Sequence, residues 1–119
     1  MKIIILAGGK GTRLGSKTDN IPKPMIEIGN KPILWHIMKI FSSYGLNDFI
    51  ICLGYKSHVV KNYFYHYNIY NNNYSIDLKK GSVDYFNRNN KDPWKVSLID
   101  TGLNSLKGSR IKKIEKYLD

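Results

Sequence analysis

The 119 residues suffice for one compact domain or for part of a larger one, and a hydrophobic fraction of 42% is ordinary for a globular protein. The longest apolar runs, 3–7 and 49–53, are far shorter than the roughly 18 residues that a membrane span requires, so we expect no membrane partner. Nineteen Lys and Arg against nine Asp and Glu give a net charge of +10, which favours an anionic partner.

Nucleic acid and a nucleoside triphosphate would both satisfy this charge. The basic residues are spread along the chain without an arm or a long basic tract, which does not favour nucleic acid. Met1 leads directly into a strand-like run with no signal-peptide pattern, so we expect a cytoplasmic protein. The single cysteine, Cys52, lies inside an apolar run and is predicted to be a small buried hydrophobic residue.

The first half of the chain predicts alternating strands and helices. Residues 2–7 predict a strand buried on both faces, and residues 8–30 a long loop with a short strand at 25–28. An amphipathic helix follows, with Pro32 in its first turn and an end at Gly45. A second buried strand, 48–54, leads to a helix that Ser57 is expected to cap.

The second half has a weaker pattern. Residues 71–73 predict a turn, 74–79 and 83–86 two short strands, and 87–93 a polar loop. Residues 94–101 predict a third main strand, and 109–118 a crossover helix with Ile111, Ile114 and Leu118 on one face.

These elements predict an α/β fold in which a mainly parallel, Rossmann-like sheet is joined by right-handed crossovers and flanked by helices. In the strand order 3-2-1-4, the fourth strand would pair with residues 3–7, and a crossover helix normally leads to such a strand. We therefore expect residues 1–119 to be the amino-terminal, nucleotide-binding part of an incomplete domain, truncated before the fourth core strand.

The segment after the first strand has a composition suited to phosphate. Three glycines in four positions, at 8, 9 and 11, remove side chains that would keep phosphates from the backbone amides. Arg13 adds a planar cationic fork. The pattern fits neither a Walker A loop nor a dinucleotide fingerprint. A plain glycine-rich turn remains the alternative.

Two further loops carry candidate residues. Lys23 lies between Pro22 and Pro24, which restrict the backbone and present the ammonium with little entropy to lose, although a rigid surface turn would look the same. The loop 99–110 leaves the third strand at the edge where ligands collect in open parallel sheets, although it could also be a solvated connector.

Together these segments resemble a known family. Residues 8–14 (Gly-Gly-Lys-Gly-Thr-Arg-Leu), 22–25 (Pro-Lys-Pro-Met) and 31–33 (Lys-Pro-Ile) closely resemble the opening of the sugar-1-phosphate nucleotidylyltransferases. Residues 29–38, 48–52 and 54–56, and Asp100-Thr101-Gly102 with Arg110, are similar to the glucose-1-phosphate cytidylyltransferases within that family. The resemblance spans all 119 residues but only about the first half of such an enzyme.

The resemblance implies cytidylyl transfer from CTP to glucose 1-phosphate, giving CDP-glucose and pyrophosphate, with Mg²⁺, in a homo-oligomer that makes nucleotide sugars for surface polysaccharides such as O-antigen. It assigns catalysis to Arg13, which contacts the triphosphate and the leaving pyrophosphate, and to Lys23, which neutralises charge at the α-phosphate. Nucleotide binding is implied for the residues of the glycine loop and the third loop: Leu6, Ala7, Gly8, Gly9, Gly11, Thr12, Thr101, Gly102 and Arg110.

Cytidine is favoured over thymidine because the thymidylyl relatives use a glutamine-containing loop and this chain has no glutamine. The metal-binding aspartate of the family lies in a Gly-Asp-Gly segment that this chain lacks, so no metal ligand is assigned here and we expect little or no turnover from these residues alone. Lys107 and Ser109 depart from the family pattern in the third loop. His36, His58 and His66 lie in predicted helices and are expected to be structural or surface residues.

Overall fold

The computed structural model describes residues 1–8, 21–86, 92–102 and 111–118. The helices and strands are, in chain order, β1 (Lys2–Leu6), β2 (Glu27–Ile28), β3 (Lys31–Pro32), α1 (Ile33–Ser42), β4 (Asp48–Leu53), α2 (Ser57–Tyr65), α3 (Tyr67–Asn71), β5 (Asn73–Asp77), β6 (Ser82–Phe86) and β7 (Lys95–Asp100). Two 3-10 turns occupy Lys23–Met25 and Glu115–Tyr117. None of the helices in these ranges is long and apolar enough to cross a membrane.

The main sheet has three parallel strands in the order β1-β4-β7. This order confirms the predicted α/β class and the 3-2-1 part of the predicted strand order. β4 lies in the middle, and from Phe49 to Leu53 each of its residues is buried. β1 differs from the prediction of a strand buried on both faces, because Ile3, Ile4 and Ile5 are only partly buried and Leu6 is 36% exposed. In the described sheet, β1 has a neighbour on one side, which leaves its other edge uncovered.

Alternate side chains of β4 build two apolar cores, one on each face of the sheet. Phe49, Ile51 and Leu53 pack with Leu34 and Met38 of α1 and with Val60 of α2. Ile50 and Cys52 pack with Ile114 on the opposite face, which confirms that Cys52 is a buried hydrophobic residue. The sheet is therefore covered on both faces, as a parallel sheet requires.

The last described segment departs from the predicted crossover helix. Residues 111–113 are helical, but a 3-10 turn over Glu115–Tyr117 replaces the remainder, and the predicted start at Ser109 and Arg110 lies outside the described residues. Ile114 is fully buried and Leu118 packs beside it, whereas Ile111 is 43% exposed. Because the 3-10 turn follows Ile114, it sets the position of Leu118, which reaches the same core as Ile114.

Two small hairpins complete the fold. β2 and β3 pair through a two-residue turn in which Gly29 and Asn30 both have positive φ, at 60° and 69°. β5 and β6 form a longer antiparallel hairpin, which confirms the two predicted short strands. At the turn predicted for 71–73, α3 ends at Asn71, the chain bends at Asn72 and β5 begins at Asn73.

Candidate functional site

Three loops meet at the carboxyl edge of the main sheet, one from each strand. Gly8 follows β1, Gly54 follows β4 and Gly102 lies two residues after β7. A Cβ atom placed on Gly54 would lie 2.5 Å from the Gly8 carbonyl oxygen and 2.9 Å from the Gly102 carbonyl oxygen. Real Cβ atoms do not approach that closely, so only glycine fits at position 54. We call this arrangement of Gly8, Gly54 and Gly102 the glycine junction.

Backbone hydrogen bonds extend the strand pairing into the glycine junction. The Ala7 amide donates to the Cys52 carbonyl at 2.9 Å, and the Tyr55 amide donates to the Gly8 carbonyl at 3.0 Å. The Thr101 amide donates to the Leu53 carbonyl at 2.9 Å on the other side. Gly102 has a φ of 99°, a conformation that strongly favours glycine. The backbone here is therefore held in place before any ligand binds.

Thr101 is placed at the edge as predicted, but its side chain is turned inward. It is 1% exposed, and its hydroxyl donates to the Leu53 carbonyl at 3.1 Å. Lys113 donates to the Thr101 carbonyl at 2.8 Å, so a cation from the last segment also lies against this loop. Thr101 thus ties β7 to β4 through both its hydroxyl and its amide, and any ligand contact from this residue would come from its carbonyl oxygen.

The charge of Asp100 at the same edge is compensated. Its carboxylate accepts a hydrogen bond from the Lys61 ammonium of α2 at 2.6 Å. The bond from Lys61 lowers the pKa of Asp100, burial opposes this shift, and a bond from the Ser57 hydroxyl adds to the lowering. A carboxylate without this partner would repel an approaching polyphosphate, and Lys61 reduces that repulsion.

Lys23 extends from a turn that its neighbours anchor. Pro22 and Met25 are buried, whereas the lysine side chain is exposed within the 3-10 turn Lys23–Met25. The Met25 amide donates to the Pro22 carbonyl at 2.9 Å and closes this turn. The exposed position of Lys23 agrees with the expectation that Pro22 and Pro24 restrict the backbone and hold the lysine ammonium ready for a ligand.

A cavity of about 290 Å³ joins the Lys23 turn to the end of β1. Its lining combines Lys23 with apolar residues of three segments, namely Ile5, Leu6, Ala7, Pro24, Ile33, Leu34 and Ile37. Three residues predicted for the site, Leu6, Ala7 and Lys23, are thus brought together, and the backbone continues from Ala7 directly to the glycine junction. The cavity offers apolar walls with one cation at its rim.

The remaining predicted site residues are Gly9, Gly11, Thr12, Arg13 and Arg110, and all of them lie outside the described residues. Gly54 was not predicted as a site residue. The signal that could have identified it is a glycine directly after a buried strand, at the level of Gly8 and Gly102 on the neighbouring strands. Ser57 does not cap α2 as expected, because the cap position belongs to Lys56, which adopts a left-handed conformation with φ 50°.

The described residues do not fit a Mg²⁺ site. In the ranges given above, no group of three or more His, Cys, Asp or Glu side chains is arranged to hold a metal ion. Asp100, the carboxylate at the glycine junction, is paired with Lys61. The rings of His36 and His66 donate to the backbone carbonyls of Ile28 and Asn62 at 2.8 and 3.0 Å, and His58 is exposed.

Comparison with known proteins decides the family. A family model described as nucleotidyl transferase matches residues 2–84, more than half of the chain. The chain belongs to the nucleotidyl transferase family. This matched range contains the glycine loop, the Lys23 turn and Gly54, so most of the candidate site lies within the part that defines the family.

Individual relatives of this nucleotidyl transferase support the same family assignment. The chain is 47% identical over 118 residues to the glucose-1-phosphate cytidylyltransferase of Salmonella typhimurium, covering 99% of this chain and 46% of that protein. It is 44% identical over 118 residues to the probable glucose-1-phosphate cytidylyltransferase of Bacillus subtilis, with the same coverage. This nucleotidyl transferase chain therefore spans about half the length of the curated relatives that it matches.

A solved structure supports the Rossmann-like fold. The crystal structure of HddC from Yersinia pseudotuberculosis complexed with GMP-PN aligns with a TM-score of 0.65 and 29% identity, covering 99% of this chain and 43% of HddC. HddC was solved with a nucleotide analogue, and the aligned part of HddC corresponds to nearly all of this nucleotidyl transferase.

Proposed function

We propose that this chain forms the nucleotide-binding part of a glucose-1-phosphate cytidylyltransferase, which transfers a cytidylyl group from CTP to glucose 1-phosphate in the cytoplasm. The observation that carries the proposal is the glycine junction, where three glycines converge at the carboxyl edge of a parallel sheet, directly after Ala7 of the cavity that Lys23 lines. Ligands of open α/β sheets bind at this edge. The 47% identity to a glucose-1-phosphate cytidylyltransferase supports CTP and glucose 1-phosphate as the proposed substrates.

The proposed reaction suits the residues at this edge. A phosphate oxygen of glucose 1-phosphate attacks the α-phosphorus of CTP, forming a new P–O bond while the bond from the α-phosphorus to the bridging oxygen breaks and pyrophosphate leaves. The nucleophile is already anionic, so positioning and charge neutralisation matter more than a protein base. Lys23 would neutralise charge at the α-phosphate, and Arg13 would hold the leaving pyrophosphate.

Backbone amides would supply the remaining binding energy. In the proposed complex, the chain from Leu6 through Gly8, Gly9, Gly11 and Thr12 follows the triphosphate. The Thr101 carbonyl, the Gly102 backbone and Arg110 contact the cytidine end. The apolar cavity beside Leu6 and Ala7 would exclude water from one side of the nucleotide. The net charge of +10 would attract the triphosphate over a distance.

Mg²⁺ belongs to the proposal as a family expectation, with ligands outside the described residues. A second candidate function is a nucleotide-binding module without catalysis, because the glycine junction would hold a nucleotide whether or not a reaction followed. A third is a remnant of a split gene with no stable fold, and hydrogen exchange that revealed no protected core would support it.

Calorimetry and a coupled pyrophosphate-release assay test these alternatives. We expect the 119-residue chain to bind CTP more tightly than GTP, with little or no pyrophosphate release when glucose 1-phosphate is added. Binding of CTP that does not depend on Mg²⁺ would favour the non-catalytic module.

Lys23→Ala should weaken CTP binding about tenfold, which corresponds to the loss of one charge-assisted hydrogen bond. Equal affinity for CTP and GTP would contradict the cytidine assignment.

A further inference from the structure

The last described segment, 111–118, lies on the face of the main sheet opposite to α1 and α2. Ile114 is fully buried there and packs with Ile50 of the middle strand. Towards the end of the segment, the Lys2 ammonium donates to the Tyr117 carbonyl at 3.2 Å. Lys2 is the first residue of β1, so this end of the segment lies near the amino edge of the sheet.

Lys113 lies nearer the other end of the segment and contacts the candidate site. Its ammonium donates to the Thr101 carbonyl at 2.8 Å in a partly buried hydrogen bond. Such a bond is charge-assisted and therefore stronger than a bond between neutral groups. Because the next residue, Ile114, is fully buried against the sheet, the backbone that carries Lys113 is held in place. Lys113 thus connects this face of the sheet to the residue that precedes Gly102.

The peptide that joins Thr101 to Gly102 is held from two sides. The amide and the hydroxyl of Thr101 both donate to the Leu53 carbonyl, at 2.9 and 3.1 Å. The bond from Lys113 reaches the remaining polar group of Thr101, its carbonyl. One side of this peptide is therefore bonded to β4 and the other side to the last segment, so its orientation depends on Lys113.

The direction of the Gly102 amide follows from that of the Thr101 carbonyl. Both groups belong to one planar trans peptide bond, which directs the carbonyl oxygen and the amide hydrogen to opposite sides. Since the carbonyl is bonded to Lys113, the Gly102 amide is directed away from the last segment. Gly102 is exposed, and within the described ranges no backbone carbonyl accepts a hydrogen bond from its amide. This amide lies at the carboxyl edge, where ligands of open parallel sheets bind.

We propose that Lys113 is a positioning residue of the nucleotide site, which holds the Thr101 carbonyl and thereby directs the Gly102 amide at an acceptor atom of the bound cytidine. This role rests on the proposed function, because it requires CTP at the carboxyl edge. Lys113 acts through the peptide that it orients and does not touch the nucleotide. An amide that is oriented before binding loses less conformational freedom when it donates to the ligand.

Calorimetric titration of three variants with CTP tests the role of Lys113. Lys113→Met removes the ammonium and should weaken CTP binding about fivefold, as expected for the loss of one oriented hydrogen bond. Lys113→Arg should bind within about twofold of the parent, because a guanidinium can also donate to the carbonyl. The matched control is Lys112→Met, which removes the same charge from an exposed neighbour and should also stay within about twofold.

Amide NMR of the same variants separates positioning from a general effect on the fold. At saturating CTP, the Gly8 signal of Lys113→Met should shift as in the parent, whereas its Gly102 signal should shift much less. Far-UV circular dichroism checks that the sheet is retained. An unchanged Gly102 shift, an equal loss at Gly8 and Gly102, or failure of Lys113→Arg to restore binding would overturn the role of Lys113.

The control variant and the parent supply the remaining outcomes. Equal losses of affinity in Lys113→Met and Lys112→Met would also overturn the positioning role, because the lost charge alone would then account for the effect. If the parent bound CTP and Lys113→Met bound it equally well, the role of Lys113 would fail while the proposed function stood. If the parent bound no CTP, the proposed function would fail and the role of Lys113 with it.

Discussion

At the scale of single residues, Gly54 determines the geometry of the candidate site. It holds no ligand-binding group, yet the three loop ends approach each other only because position 54 has no side chain. Gly102 contributes differently, since its φ of 99° demands a residue that tolerates the left-handed region. The position of Gly8 therefore depends on the missing side chain of Gly54, and the position of Lys23 depends on its buried neighbours Pro22 and Met25.

Gly54→Ala should lower the free energy of unfolding by about 1–3 kcal/mol and weaken CTP binding, because the new methyl group would push the Gly8 and Gly102 carbonyls apart. Chemical denaturation measures the first effect and calorimetry the second. Gly81→Ala serves as the control. Position 81 also resists alanine, because its φ is 72°, but it lies in the β5–β6 turn with open space around it. Its CTP affinity should equal that of the parent, and a matching loss in both variants would refute the role of Gly54.

At the scale of elements, one partly buried polar network joins α1, α3 and the segment before β7. The Tyr67 hydroxyl donates to Asp92 at 2.5 Å, Lys39 pairs with Asp92 at 2.9 Å, and the Trp35 indole donates to the Tyr67 oxygen at 3.0 Å. Burial raises the pKa of the Tyr67 hydroxyl, and that of the nearby Tyr63 to about 12. For Asp92, burial opposes ionisation, but the bonds from Tyr67 and Lys39 outweigh it and lower the pKa.

The pKa of Asp92 is lower in the folded state than its ordinary value of 3.8. Ionised Asp92 therefore contributes its full stabilisation above pH 3.8, and this contribution is lost as the pH falls through the pKa of the folded state. Asp92→Asn should therefore lower the free energy of unfolding by about 1 kcal/mol at pH 7, with the difference shrinking below pH 3.8. Urea denaturation at several pH values measures this. In a Tyr67→Phe background the pH dependence should be smaller, because one bond that favours the carboxylate is gone.

Helix α1 supplies a matched pair of substitutions. Met38 is fully buried against the sheet, whereas Ile40 on the same helix is 61% exposed. Met38→Ala should lower the free energy of unfolding by about 2–5 kcal/mol through the cavity that it leaves. Ile40→Ala should change it by less than about 0.5 kcal/mol. Comparable losses in denaturation experiments would indicate that α1 does not pack as described.

Most of the elements were predictable because their apolar residues repeat with a clear period. The three parallel strands and α1 follow from such patterns, and so does the burial of Cys52. The local errors came from backbone conformations that a pattern does not reveal. Lys56 adopts a left-handed conformation and takes the cap position expected for Ser57. The Gly29-Asn30 turn has a residue pair that is typical of hairpins. The strands that it joins are only two residues long, so they show no apolar alternation in the sequence.

The candidate site was less predictable than the strands. The sequence indicated that loops after β1 and β7 would share one edge, and it indicated the exposed Lys23. It did not reveal that the Thr101 hydroxyl would bond to Leu53, or that Lys61 would reach Asp100, because both contacts join residues that are far apart in the chain. Such contacts depend on packing between elements, which periodicity does not specify.

At the scale of the whole molecule, the sheet divides the surface into regions with different roles. The carboxyl edge carries the glycine junction, the Lys23 turn and the compensated charge of Asp100. The hairpin beyond α3 carries an exposed apolar face without net charge. The chain spans about half the length of its curated relatives, and its described part holds the features from which nucleotide binding is proposed.

An NMR titration of the ¹⁵N-labelled chain with CTP tests the central claim most directly. We predict that the Gly8 and Gly102 amide signals shift progressively and saturate, that those of the β5–β6 hairpin remain unchanged, and that Lys23→Ala requires about tenfold more CTP for the same effect. The account would be contradicted if CTP saturated the chain while the Gly8 and Gly102 signals stayed in place, or if Lys23→Ala gave the same titration curve as the parent.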